Sequence, residues 1–336
     1  MPKKTSKSAK YGRTSKKVKK KKRDRFVTNA VIITGAAVLI VLASNIIEND
    51  TANETKLPEG NAQEMLSSEN SRNHEVYETT ENLCRFDFID VGQGDSALIT
   101  TPTKDYILID TGTSSSKNDL AAHLRKAGVD EIDYLVLSHP HNDHIGGARK
   151  VLEDYKVNCI IMPNVVSNTA QFEKLYDAIV LEKQDGCCVY TAQAGDRYEI
   201  GGCVMSMIGP AQIDENDLNG CSASLVFTYG EFDALFTGDA ESKAEEQMLA
   251  SGAKLDCELY KVAHHGSDTS SSAGFISAVS PELSVISCGK NNSYGHPHTA
   301  IVQRLHDAGS EIYVTSELGT ITVFTDGDGF SVHSAE

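Results

Sequence analysis

The segment SHPHNDHIGG, residues 138–147, sets three of the chain's 11 histidines and one aspartate within six positions. That spacing suits metal binding. His139 and His141 are two apart, so in an extended segment their side chains leave the backbone on the same side. Asp143 and His144 begin the next helical stretch and point elsewhere. One short loop can therefore serve two cations. Imidazole suits zinc, manganese or iron, and a carboxylate suits hard or borderline cations. The Gly146–Gly147 pair gives the backbone room.

Further donor groups stand at comparable places. Asp239, in LFTGDA, ends an apolar hairpin strand just ahead of a helix, where it can bridge two cations or cap the helix N-terminus. VAHHGS puts His264 and His265 after a strand. One of the two is expected to be a ligand, His264 in preference because it lies nearer the strand end, while the other touches substrate or holds the loop. His296 and His298, in NNSYGHPHT, precede a helix and can cap it, donate to a substrate anion, or ligate. DVGQGDS sets Gln93 and Asp95 around two glycines, which allow close backbone approach to a ligand. Asp110, in IDTG, can accept from a ligand histidine and fix its ring, or form a plain turn. His74, His123, His306 and His333 stand alone and read as solvent-facing or packing residues.

These groups need a scaffold that brings several strand ends together. CRFDFIDVG, SALITTP, YILIDTG and DYLVLS are apolar runs bounded by turn signals, and the last ends at the histidine motif. NDLAAHLRKAG, ARKVLEDY and QFEKLYDAIVLEKQ have helical spacing. Farther on, SASLVFTYGEFDALFTGD reads as a hairpin turning at Tyr229–Phe232, and AESKAEEQMLASG as a helix stopped by Gly252. NCIIMPNVV and GCVMSM are strand-like, the strands CELYKVA, LSVISCG and EIYVTS alternate with the helix TAIVQRLHDAG, and GTITVFTDG closes the chain. Mixed strands and helices with frequent hairpins predict an α/β fold of the four-layer αββα sandwich type, packed as one domain over residues 83–336.

The 336 residues carry a net charge of −16, unevenly placed. Residues 1–25 hold 13 Lys or Arg against one acid, Asp24. Taking these from the totals of 31 basic and 47 acidic residues leaves 18 and 46 for the rest of the chain. Such an acidic body is a poor generic polyanion binder, so a phosphate-bearing ligand would need a local positive centre such as a bound metal. Residues 26–47 are uncharged and long enough to cross a bilayer. With the basic flank, they predict a single-pass membrane anchor whose N-terminal tail, 1–25, stays cytoplasmic while the body is exported. Small residues at Val41–Ala43 leave signal cleavage and secretion as the alternative. Residues 48–82 are polar and acidic and read as a flexible linker. The eight cysteines form no C-x-x-C pair, which excludes zinc-ribbon and thioredoxin readings. Most lie in strand-like runs as small buried hydrophobes, although an exported body can form one or two disulfides.

Six motifs, DVGQGDS, IDTG, SHPHNDHIGG, FTGD, HHGS and YGHPH, run in order between about Arg85 and Asp326. This series resembles the metallo-β-lactamase superfamily and, more narrowly, the exported metallo-β-lactamase-like domain of the ComEC family of competence DNA-uptake proteins. The likeness does not extend to that family's many-helix membrane channel. It implies two divalent ions, zinc favoured and manganese possible. His139 and His141 would hold the first ion, Asp143, His144 and His264 the second, and Asp239 would bridge them. Asp143, His296 and His298 are the implied proton-transfer groups. Gln93, Asp95, Asp110 and His265 would contact substrate or back the ligands. One departure stands out. The superfamily usually has a further histidine between the first motif and the bridging aspartate, and here no histidine occurs from 145 to 263. Ser222 or Ser224 stands in that region. The first site would then be weak, recruit Asp95 or His296, or leave the centre with one ion.

Two cations a few Å apart give hydroxide near neutral pH and neutralise a phosphodiester. The expected function is a membrane-anchored, exported, binuclear phosphodiesterase acting on nucleic acid or another phosphodiester such as a wall polymer. The alternatives are a lactonase- or β-lactamase-type hydrolase of carbon esters or amides, and a non-catalytic metal-binding ectodomain.

Overall fold

The computed structural model describes residues 82–334. The basic tail, the apolar span and nearly all of the linker read from the sequence lie outside the described residues. Among the described residues no helix is long and apolar enough to cross a membrane.

Two sheets face each other. In the first, β1 (Cys84–Phe88), β2 (Ala97–Thr100), β3 (Tyr106–Ile109), β4 (Glu131–Val136), β5 (Lys156–Met162) and β6 (Cys188–Thr191) lie side by side in chain order, and β14 (Ile321–Thr325) and β15 (Phe330–Ser334) extend the β1 edge. In the second, β7 (Arg197–Ile200), β8 (Cys203–Met207), β9 (Leu225–Tyr229), β10 (Phe232–Phe236), β11 (Leu259–Lys261), β12 (Leu283–Ile286) and β13 (Glu311–Val314) do the same. The β3–β6 run is parallel, as is the β10–β13 run.

The apolar strands are apolar on both faces because both faces are covered. Ala97, Ile99, Ile107 and Ile109 point between the sheets, where they join Met205, Phe227 and Phe236. Phe86 meets Phe227 edge-on at 5.5 Å, and Phe88 stacks on Phe236 at 5.9 Å. The alternate residues Leu98 and Leu108 point outward. There they pack on α1 (Lys117–Ala127), α3 (Ala148–Asp154) and α4 (Ala170–Gln184), through residues such as Leu124, Leu152 and Leu175. On the far side Val226, Leu235 and Ile286 pack against α5 (Ser242–Ser251), α6 (Ala273–Val279) and α7 (Thr299–Asp307). This is the α/β sandwich of two sheets with helices on its outer faces.

The helix signals act locally. Gly128, at φ 78°, ends α1 by donating its N–H to Arg125 and Leu124 carbonyls, and Thr169 caps α4 by accepting from Phe172 N–H. The sequence reading leaves out β6, β7 and β15. All three are short, carry polar residues and have exposed positions, as edge strands do. The β11 strand is shorter than its apolar run suggests, because the chain leaves the sheet at Val262 for a tight turn.

The loop after β4, with its short helix α2 (Asn142–Ile145), is buttressed from below. Asp95 N–H donates to the Asp143 carbonyl at 3.0 Å, and Thr111 N–H to the His144 carbonyl at 2.7 Å. These bonds press two backbones together at Gly146, where a Cβ would run into Ser114 N, Thr113 C and Asn142 O. Gly146→Ala is therefore expected to lose at least about 1–3 kcal/mol through overpacking, read as a lower denaturant midpoint, whereas Gly128→Ala meets no neighbouring atom and strains only its own φ.

Candidate metal centre

The parallel strands of both sheets end on one rim, and the donor residues follow those ends. Asp110 comes after β3, His139 after β4, Asp239 after β10, His264 and His265 after β11, and His296 after β12. Asp95 leads into β2, whose start pairs with the end of β3 through Ala97 and Ile109. The carboxyl ends of parallel strands are where open α/β sheets place their ligand crevices.

Asp143, His144, Asp239 and His265 each bring one donor atom within 4.8 Å of the others. Asp239 is buried at the centre. Its Oδ1 lies 3.2 Å from His144 Nε2, and its Oδ2 lies 3.7 Å from His139 Nε2 and 3.8 Å from His265 Nε2. His265 Nε2 is 3.4 Å from Asp143 Oδ2. His139 Nε2 and His141 Nδ1 are 2.9 Å apart. Asp239 Oδ1, His144 Nε2 and His265 Nε2 are buried and make no hydrogen bond of acceptable geometry. Unsatisfied buried polar atoms are rare in proteins. Here they converge on one point, and two of them are imidazole nitrogens beside carboxylates. That donor set fits a divalent cation of the zinc or manganese type.

The outer nitrogens explain why the inner ones face the centre. His144 Nδ1 lies 2.8 Å from Asp110 Oδ2, and His265 Nδ1 lies 3.0 Å from the Ser287 carbonyl and 3.1 Å from Asp95 Oδ1. These partners only accept, so each Nδ1 keeps its proton, and it is Nε2 that can give one up and offer its lone pair inward to a cation. Asp110 is itself held by Ser138, whose backbone N–H and hydroxyl donate to it at 2.8 and 2.6 Å.

The charges are tightly balanced. Burial opposes ionisation of Asp239, but His144 and His265 hold its carboxyl well below the usual range. Burial likewise opposes Asp143, yet the nearby His265 and the charge of His144 bring it to about 2. Burial pulls His265 down, but Asp239 and Asp95 lift it to about 10. His139 is pushed well down by burial and by neighbouring His144. Both carboxylates are thus ionised at neutral pH, and a cation entering here displaces protons from His144 and His265.

The structure brings His139, His141, Asp143, His144 and Asp239 together, and it sets His265, where His264 was expected, with Asp143, His144 and Asp239. His264 and His265 both adopt left-handed φ values, 49° and 56°. The resulting turn carries the second imidazole, not the first, into the Asp143–His144–Asp239 cluster. His264 lies beside that cluster, its Nε2 3.6 Å from Asp239 Oδ2 and its Nδ1 3.1 Å from Thr269 Oγ1. Asp110 backs His144. Asp95 does not reach the His139–His141 side; it stands behind His265. Gln93 ties loops together, accepting from Gly289 N–H at 3.0 Å while its Nε2 lies 3.4 Å from His296 Nδ1. The His296 ring lies 6.0 Å from that of His265, at the lip of the cluster. His298 faces away: its Nδ1 accepts from Asp268 N–H at 2.9 Å, and its Nε2 lies 3.3 Å from the Tyr294 carbonyl. All eight cysteines are free thiols, and most are buried.

Lys261 is the residue that sequence reasoning missed. It is buried, and its Nζ lies 2.8 Å from Asp95 Oδ2 and 3.0 Å from the Val262 carbonyl. The signal was present, because a lysine inside the apolar strand CELYKVA is out of place unless paired.

The profile of the Metallo-beta-lactamase superfamily matches residues 89–290. Among curated relatives, ComE operon protein 3 of Bacillus subtilis is 30% identical over 252 residues, covering 70% of this chain and 32% of that protein. Competence protein ComA of Neisseria gonorrhoeae is 33% identical over 234 residues, covering 69% and 31%. Recombination protein 2 of Haemophilus influenzae is 32% identical over 254 residues, covering 74% and 30%. The chain thus spans about a third of the length of these relatives.

Removing one member of a buried ion pair leaves the other uncompensated. Lys261→Met is expected to cost about 3–5 kcal/mol in denaturant unfolding, and the Lys261→Met/Asp95→Asn double variant to recover part of that loss. Equal stability of Lys261→Met and the parent would show that the pair does not hold this rim.

Proposed function

The chain belongs to the metallo-β-lactamase superfamily, and on that premise we propose that it is a metal-dependent phosphodiesterase with a two-ion centre. The observation that carries this reading is the convergence of the buried, unpartnered Nε2 atoms of His144 and His265 on the two oxygens of Asp239. Asp143, His144 and His265 would form one half of the centre, His139 and His141 the other, with Asp239 between them. Zinc is favoured by the imidazole content, with manganese possible. Bound cations supply Lewis acidity, lower the pKa of water and offset phosphate charge.

The chain's own residues do the rest. Asp143, ionised and partly open to solvent, is placed to accept the proton of the attacking water. Burial and the charge of His265 bring His296 down to about 4, so at neutral pH it is a neutral imidazole. Gln93 presents its amide N–H to Nδ1, which leaves His296 Nε2–H as a donor for a phosphate or leaving oxygen. His298, with both ring nitrogens engaged, holds the loop that carries His296.

An acidic body excludes phosphate chains except where cations gather, so the centre itself is the anion site. The names of the relatives, competence and recombination proteins, favour nucleic acid among phosphodiesters; a wall polymer is the other candidate. Residues 26–47 would anchor the chain and residues 48–82 would tether the domain outside the membrane, with secretion after signal cleavage as the alternative.

With the full-length chain, chelation is expected to abolish hydrolysis of bis-(p-nitrophenyl) phosphate, and added zinc or manganese to restore it. His141→Ala and Asp239→Asn are expected to lower kcat/KM by about a hundredfold or more. Turnover of a lactone or β-lactam, with none of the phosphodiester, would move the assignment to carbon-ester or amide hydrolysis. Metal binding without turnover of any of these would mark a non-catalytic domain.

A further inference from the structure

The first ion's ligand set is one imidazole short by the superfamily's usual pattern, since no histidine lies between 145 and 263. The two serines in that stretch do not fill the place. Ser222 Oγ accepts from Asp239 N–H at 3.1 Å, and Ser224 Oγ donates to the backbone carbonyls of Ser222 and Thr237, 3.3 Å from each. Both hydroxyls are occupied with shaping the loop. Asp95 is committed to Lys261 and His265.

We propose that His264 completes the first ion's site, so that the adjacent histidines of HHGS serve different ions: His264 with His139, His141 and Asp239, and His265 with Asp143, His144 and Asp239. His264 Nε2 lies 3.6 Å from Asp239 Oδ2, the same oxygen that His139 Nε2 approaches at 3.7 Å. The outer nitrogen of His264 is fixed in the manner of a ligand. Its Nδ1 lies 3.1 Å from Thr269 Oγ1 and 3.5 Å from Glu241 Oε1, and Glu241 is steadied by Asn219 Nδ2 at 3.1 Å. A carboxylate at Nδ1 draws the proton there and leaves the Nε2 lone pair facing Asp239.

The backbone supplies an independent reason. Neighbouring residues of an extended strand point to opposite faces. Here two successive non-glycine residues are held left-handed, a conformation disfavoured for any residue with a Cβ that persists where the surroundings over-determine it. The turn sets the two rings 6.1 Å apart at 66°, both directed at Asp239 Oδ2. A single ligand would need only one of them. Three imidazoles and a carboxylate oxygen form a set that selects zinc over magnesium.

This inference rests on the two-ion reading, and the test separates the two. Metal-free full-length chain is titrated with zinc against a chromophoric chelator. The parent is expected to bind about two ions; one ion or none would overturn the two-ion reading. His264→Asn and His265→Asn are each expected to weaken one ion at least about tenfold. The pairing decides the assignment. His139→Asn/His264→Asn should still bind one ion tightly, while His264→Asn/His265→Asn should bind neither. Two ions at parental affinity in His264→Asn, or one tight ion remaining in His264→Asn/His265→Asn, would overturn it. A readout that needs no variant is diethyl pyrocarbonate labelling of the parent followed by mass spectrometry. His264 should react in the metal-free chain and be protected at two equivalents of zinc; equal labelling in both states would also contradict the assignment.

Discussion

Asp239 is a buried carboxylate whose two oxygens face different sets of imidazoles, and the rim of the sandwich is arranged around that charge. A carboxylate so placed is costly unless paired. Its neighbours meet that cost in successive layers. His144 and His265 face it directly, Asp110, Asp95 and the Ser287 carbonyl hold their outer nitrogens, and Ser138 and Lys261 hold the two carboxylates in turn. These residues come from the ends of β3, β4, β11 and β12 and from the loop before β2, in both sheets. Shifting one strand by a residue would therefore disturb the whole network, which ties the register of both sheets to the chemistry of the rim.

On the proposed phosphodiesterase reading, the same arrangement reconciles an acidic body with an anionic substrate. Carboxylates around the rim would repel phosphate until cations fill the centre, which would make affinity for such a substrate conditional on metal. The protonated state of His144 and His265 in the metal-free cluster points the same way: protons occupy the places where ions bind, and ions replace them. At the lip, His296 is kept neutral by burial and by the positive charge beneath it, and offers one N–H rather than a charge.

Much of this was legible in the residues. The His139–His144 spacing and the strand-end positions of Asp110 and Asp239 place the centre without coordinates. The alternation of Ala97, Leu98 and Ile99 between two cores shows in the unbroken apolar runs. What was not legible depends on pairings far apart in the chain or on single dihedral angles. Lys261 and Asp95 are 166 residues apart, and Asp268 meets His298 across 30. Which of His264 and His265 enters the deeper cluster is set by two left-handed φ values that no side-chain pattern announces. The edge strands β6, β7 and β15 escaped because their polar residues match exposed loops as well as sheet edges.

Anomalous diffraction from crystals of the chain grown with zinc, recorded on both sides of the zinc edge, tests the central claim most directly. Two peaks are expected, about 3.5–4 Å apart and on either side of the Asp239 carboxylate, one against Asp143, His144 and His265 and the other against His139 and His141. An anomalous map with no peak on this rim, and Asp239 hydrogen-bonded to its imidazoles alone, would contradict it.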